Sequence, residues 1–194
     1  MIDEVLSMKK QTFFVRVKYK TLVSAMVIAL AIVIPQLIHM LLGTPGGVKW
    51  LPMYFPVLVG GCLLGKRWGI ATGLLSPLFS FLITTLLGNS MPIAIRLPFM
   101  MIELAVFAAV AGFFAKKIVD NGLWAFPAVI LAQISGRSVF LGIVAILQNI
   151  TPFSFDMILG QIRIGIPGIL LQVVLVPLII MLLRKVLLKD EQND

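Results

Sequence analysis

The stretch that decides the fold is TLVSAMVIALAIVIPQLIHMLLG, residues 21–43, where 23 consecutive residues carry no Asp, Glu, Lys or Arg. About 20 apolar residues in a helix rising 1.5 Å each cross the hydrocarbon core of a bilayer, so this stretch reads as a transmembrane helix. The pattern repeats outward from it. Residues 50–65 and 68–95 are also free of charge; Glu103 alone interrupts 97–115, Arg137 alone 121–155, and Arg163 alone 157–183. The reading is an all-α, polytopic membrane protein with six transmembrane helices, near 21–43, 51–65, 68–88, 97–116, 123–148 and 159–183. An N-terminal segment (1–20) and a tail (185–194) flank one membrane domain (21–184). The second span is short and has Pro52 and Pro56 near its start, so its first turn is expected in the interface or against a cavity, where irregular backbone is tolerated.

Composition agrees. Sixty per cent of the 194 residues are apolar, 12% are charged and the mean hydropathy is +1.07. Soluble domains run near 45–50% apolar and about 25% charged, and a chain this apolar cannot stay solvated as a disordered coil. With Cys62 and His39 the only residues of their kinds, neither a disulfide scaffold nor a Cys/His zinc site can be built, and no metal or cofactor is expected.

The net charge of +8 reports topology rather than nucleic acid, because basic residues flank the apolar runs. With the N-terminus inside, the cytoplasmic side collects Lys9, Lys10, Arg16, Lys18 and Lys20, then Lys66, Arg67, Lys116, Lys117, Arg184, Lys185 and Lys189, leaving Lys49 and Arg96 outside. Both termini are therefore expected in the cytoplasm. Trp50, Trp68 and Trp124 fall at span edges, as interfacial anchors do. Residues 1–20 are acidic, then basic, and lack a small-residue cleavage site, so they read as a short interfacial helix or a solvated tail rather than a signal peptide.

The segment GGCLLGK (60–66) has the G-x-x-x-x-G-K spacing of a phosphate-binding loop, but Arg67 stands where Ser or Thr must hold magnesium, and membrane helix precedes it. Gly61, Gly65, Gly69 and Gly73 recur every four residues beside a second stripe of Thr72, Ser76, Ser80 and Thr84, a spacing that lets helix backbones approach closely in lipid. The A-x-x-x-A pair Ala25 and Ala29 in the first span serves either packing within the chain or a lipid-facing groove for a partner helix.

The intramembrane charges are the most informative residues. Each would cost about 2.5–3.5 kcal/mol at mid-membrane facing lipid. Glu103, Arg137 and Arg163 all fall in the outer half, and Gln133, Arg137 and Gln148 share one helix face. They are expected to line an outward-facing cavity. Glu103 pairs either with Arg137, fixing registry, or with ligand; a second Arg then stays unmatched and suits an anionic group, which guanidinium grips bidentately. The outer loops GTPGGVKW (43–50) and GNSMPIAIR (88–96) add glycines for mobility, Trp50 to cap a ligand, and Asn89 and Arg96 as donors. A third, 149–160, adds Phe153, Phe155 and Asp156. His39 faces either the cavity or the headgroups. No catalytic motif accompanies these residues: there is no H-E-x-x-H, no G-x-S-x-G, and no base beside Cys62.

The blocks LPMYFPVLVGGCLLG (51–65) and GIATGLLSPLFS (69–80), followed by Met91-Pro92 and MMIELAVF (100–107), resemble the substrate-binding S components of energy-coupling factor (ECF) vitamin transporters. Six spans, a length just under 200 and the pair Ala25/Ala29 extend the resemblance over roughly 20–185. It implies a prokaryotic uptake system in which the S component captures a water-soluble vitamin from outside. The component then joins a membrane coupling (T) subunit and two cytoplasmic ATPases, with Ala25 and Ala29 docking on the coupling subunit. It also implies toppling in the membrane and a lid formed by the first outer loop, around Gly46, Gly47 and Trp50. Arg96, Arg137 and Arg163 favour an acid such as pantothenate. An autonomous secondary carrier or small channel is the alternative; it would show an internal repeat or matched broken helices.

Overall fold

The computed structural model describes residues 2–88 and 90–190, with side chains for 19–43, 45–88 and 90–183. It is all-helical among the described residues: α1 (Ile2–Trp50), α2 (Tyr54–Leu64), α3 (Lys66–Leu86), α4 (Leu97–Phe113), α5 (Ala115–Asp120), α6 (Ala125–Leu147) and α7 (Phe155–Asp190). Short 3₁₀ turns at Ala94–Arg96 and Gly122–Trp124 lead into α4 and α6. Six segments are long and apolar enough to cross a membrane: Tyr19–Gly43, Pro45–Leu64, Lys66–Leu86, Ala94–Phe113, Gly122–Leu147 and Phe155–Leu183. Closed intrahelical hydrogen bonding is what a lipid solvent demands of a spanning backbone. Leu22, Met26, Leu30 and Val33 of α1, like Leu170, Val174 and Leu178 of α7, are exposed, as side chains facing hydrocarbon should be.

The region around residue 50 departs from the sequence reading. Residues 43–50 are not a glycine-loosened loop. Gly43 breaks α1 with φ 67° and ψ −173°, after which the chain is helical again to Trp50. Gly47 is small for a packing reason, because a Cβ there would fall onto the imidazole of His39. Lys49 lies in the second candidate span, not in a connecting loop. The interruption comes later, at residues 51–53, where Leu51 adopts φ 50° before α2 begins. These residues line a cavity, where backbone outside a helix is tolerated. Residues 2–20 continue α1 rather than forming a separate element.

Central to the bundle is α4, which packs on α2, α3 and α6, while α1 covers α2, α3 and α7. The glycine stripe explains the closest approaches. A Cβ on Gly73 would sit 2.5 Å from the Leu104 carbonyl oxygen, and one on Gly61 2.9 Å from that of Ala108. Gly65 differs from its neighbours in the stripe: with φ 79° it is the one-residue turn between α2 and α3, a conformation glycine adopts without steric cost. The hydroxyl stripe is buried, and Ser76 and Thr84 donate to the carbonyls one turn back. Ser80 donates to the Met91 carbonyl at 2.9 Å and the Met91 amide donates to Thr84 Oγ1 at 2.8 Å, tying the loop after α3 to the helix.

Candidate substrate cavity

A cavity of about 400 Å³ opens between α1, the 51–53 turn, α2, α3, α4, α6 and α7. Its wall is largely apolar, with Met53, Met91, Met100 and Met157 beside Phe140 and Phe153. Methionine thioethers are polarisable and conform to irregular shapes. Edge-to-face contacts of Phe99 with Phe140 (6.2 Å between centroids) and with Phe153 (5.5 Å) hold the aromatic side of the wall.

The polar groups fall into two sets. Deep in the cavity, Arg137 donates from Nη1 to Glu103 Oε1 at 2.7 Å, and the Tyr54 hydroxyl donates to Glu103 Oε2 at 2.6 Å. The guanidinium carbon lies 4.4 Å from the Tyr54 ring centroid and 5.7 Å from that of Phe107. Gly136 makes this arrangement possible, since a Cβ there would strike the Phe107 ring. Glu103 is fully buried and both its oxygens are engaged, so it neutralises and orients Arg137 rather than meeting a ligand. Arg137 lines the cavity, and its Nε and Nη2 have no protein partner. A buried N–H left without an acceptor costs about 1–3 kcal/mol, so these donors call for water or a ligand oxygen.

The second set is nearer the end of the bundle. Arg96, one residue before α4, donates from Nη2 to Gln161 Oε1 of α7 at 2.6 Å, and its buried Nε is unpartnered. Among the described residues no carboxylate forms a salt bridge with Arg96, which lines the cavity. His39 also lines the cavity. Its Nδ1 lies 2.8 Å from the Pro35 carbonyl, which only accepts, so Nδ1 carries the hydrogen and Nε2 remains available.

Several residues expected in the cavity lie elsewhere. Arg163 is exposed on α7: two residues from cavity-lining Gln161 is a rotation of about 200°, which turns it to the outer surface, where a long stem can reach the interface. Gln148 shares the helical direction of Arg137 but is three turns further on, beyond the end of α6, and is exposed. Gln133 is buried but structural. Its Nε2 donates to Gln172 Oε1 at 2.7 Å, and Gln172 in turn donates to the Leu51 carbonyl at 3.0 Å, satisfying backbone freed by the 51–53 turn. Trp50 is half-buried away from the cavity, with Lys49 Nζ 5.6 Å from its ring. Asn89 lies outside the described residues.

Sequence reasoning missed Tyr54, Gln161, Ser80 and the methionines. A tyrosine in an apolar span must find a partner for its hydroxyl, and Gln161 and Gln172, eleven residues apart on α7, show the same-face spacing that drew attention to α6.

No family model matches the chain, and no curated protein or solved structure matches it.

Proposed function

We propose that this chain is the substrate-binding S component of an ECF-type importer in a prokaryotic cell membrane. In this reading it is a binding subunit, not an enzyme. It takes a small water-soluble vitamin from outside and delivers it with a membrane coupling subunit and two cytoplasmic ATPases. The observation that carries the reading is the 400 Å³ cavity among six span-length helices, walled by methionine and phenylalanine and holding unpartnered guanidinium nitrogens. Ligand sites are mostly apolar concavities with a few fixed polar groups, and this one has that form.

Two further features support it. Lys66, Arg67, Lys116 and Lys117 gather where α2 turns into α3 and α4 ends, opposite the Arg96 end of α4. Basic residues favour the cytoplasmic side, so the cavity faces outward and both termini lie inside. Ala25 and Ala29 are exposed on α1, the covering helix, as a flat surface for the coupling subunit requires. The secondary-carrier alternative gains nothing comparable: the break at residues 51–53 has no partner in the fifth span, which is helical from Gly122 to Leu147.

The test is reconstitution. The purified chain alone should bind vitamin tightly, and vesicles should accumulate it only when the ATPase module is added. ATP-independent uptake by the lone chain overturns the reading. Ala25→Trp should abolish uptake and leave binding intact.

A further inference from the structure

We infer that the cavity selects a singly charged anionic ligand, with Arg96 as the receptor of the charge and Arg137 as a donor to a neutral acceptor. The inference rests on the reading of the cavity as a nutrient site and adds the class of nutrient. It begins with a charge count. Two guanidinium groups line the cavity, and one carboxylate, Glu103, is buried beside it with both oxygens taken. Glu103 lies 2.7 Å from Arg137, so the excess positive charge belongs to Arg96.

Hydrogen-bonding capacity agrees. Arg96 is held at Nη2 by the neutral amide oxygen of Gln161, which orients the guanidinium without cancelling its charge, and Nε is left without an acceptor. Arg137 is fixed by a carboxylate and a tyrosine ring, and its unpartnered Nε and Nη2 offer two parallel N–H donors on a neutralised group. A carbonyl, hydroxyl or ring-nitrogen acceptor satisfies these donors, while a second anion there would meet Glu103.

Arg96 precedes α4 and Arg137 lies on α6, so the two guanidinium groups enter the cavity from different elements, and Met53, Met91, Met100 and Met157 border it. The volume of about 400 Å³ lies toward the lower end of the range of roughly 300–1,000 Å³ found for ligand pockets. The ligand is therefore small, with one anionic group, one neutral polar acceptor and an apolar or aromatic body.

The test uses matched probes: 3-(4-hydroxyphenyl)propanoate and its primary amide, which differ in charge at one end. Binding to the full chain in detergent is read by the ligand-dependent rise in unfolding temperature. The acid should bind roughly tenfold more tightly than the amide, as expected when a charge-assisted hydrogen bond replaces a neutral one. Arg96→Gln should abolish the preference for the acid over the amide. Gln161→Glu, which places a carboxylate against Arg96, should do the same, and the unfolding temperature without ligand shows that each variant is folded. Arg137→Gln should weaken both probes alike and keep the preference. Binding of neither probe, equal binding of both by the unaltered chain, or loss of preference on Arg137→Gln in place of Arg96→Gln overturns the proposal. Acid preference together with ATP-independent uptake would sink the ECF-importer reading alone; ATP-dependent uptake without acid preference would sink this one alone.

Discussion

At the end of the bundle that carries Lys66 and Lys117, helices α2, α3 and α4 meet backbone to backbone; at the end that carries Arg96 and Gln161 they stand apart around a cavity. Small residues create the first arrangement. Gly61, Gly69 and Gly73 press on the carbonyls of Ala108 and Leu104, and a Cβ on Gly112 would sit 2.6 Å from the Lys66 nitrogen. At the second, Met100, Phe140 and Arg137 line the space left between the helices. With no hydrophobic force between helices in lipid, close packing at one end is what permits an open site at the other. Polar groups at the open end are then kept in place by one another: Tyr54, Glu103 and Arg137 come from three helices and fix their relative registry.

The sharpest way to break this comparison is Glu103→Leu. It leaves the Arg137 charge buried without its partner, and chemical unfolding in detergent should show a loss of about 3–5 kcal/mol. Glu103→Leu combined with Arg137→Met should recover most of that loss and bind ligand at least tenfold more weakly than the unaltered chain. A double variant as unstable as the single one would show that the pair does not act as a unit. At the packed end, Gly73→Ala should cost about 1–3 kcal/mol through overpacking against Leu104 and leave the affinity of the folded molecules unchanged; a change in affinity would mean that the two ends are mechanically coupled. Arg137→Gln should weaken ligand binding about tenfold, or 1.4 kcal/mol, by isothermal titration. The smallest effect belongs to Arg163→Ala, within about 0.5 kcal/mol in stability and neutral in binding, because its side chain is exposed on the outer surface of α7.

Much of the cavity chemistry is legible in the sequence. An ionisable residue inside a span is too costly to face lipid without a route to water, so Glu103 and Arg137 had to be brought together or brought to a ligand, and they form the 2.7 Å pair. The same argument misplaced Arg163, which is exposed on α7, because a long cationic stem can extend along the helix toward the interface without entering a cavity. Gln148 failed on the axial coordinate: equal angle on a helix does not mean equal height. The glycine-rich stretch 43–50 misled because glycine marks either freedom or close approach, and only the neighbour, His39 against Gly47, tells which.

By itself, then, the sequence determined that the chain is helical with six segments long and apolar enough to cross a membrane, because hydrocarbon accepts few other solutions and charge placement marks the boundaries. It also determined which side chains needed partners. Only the tertiary structure decided which partners they found, that Arg137 is neutralised while Arg96 is left charged, and that backbone from the second span bends to form the cavity wall. The physical reason is that periodicity specifies the direction of a side chain around its own helix, whereas contact depends on the rotation and height of every other helix.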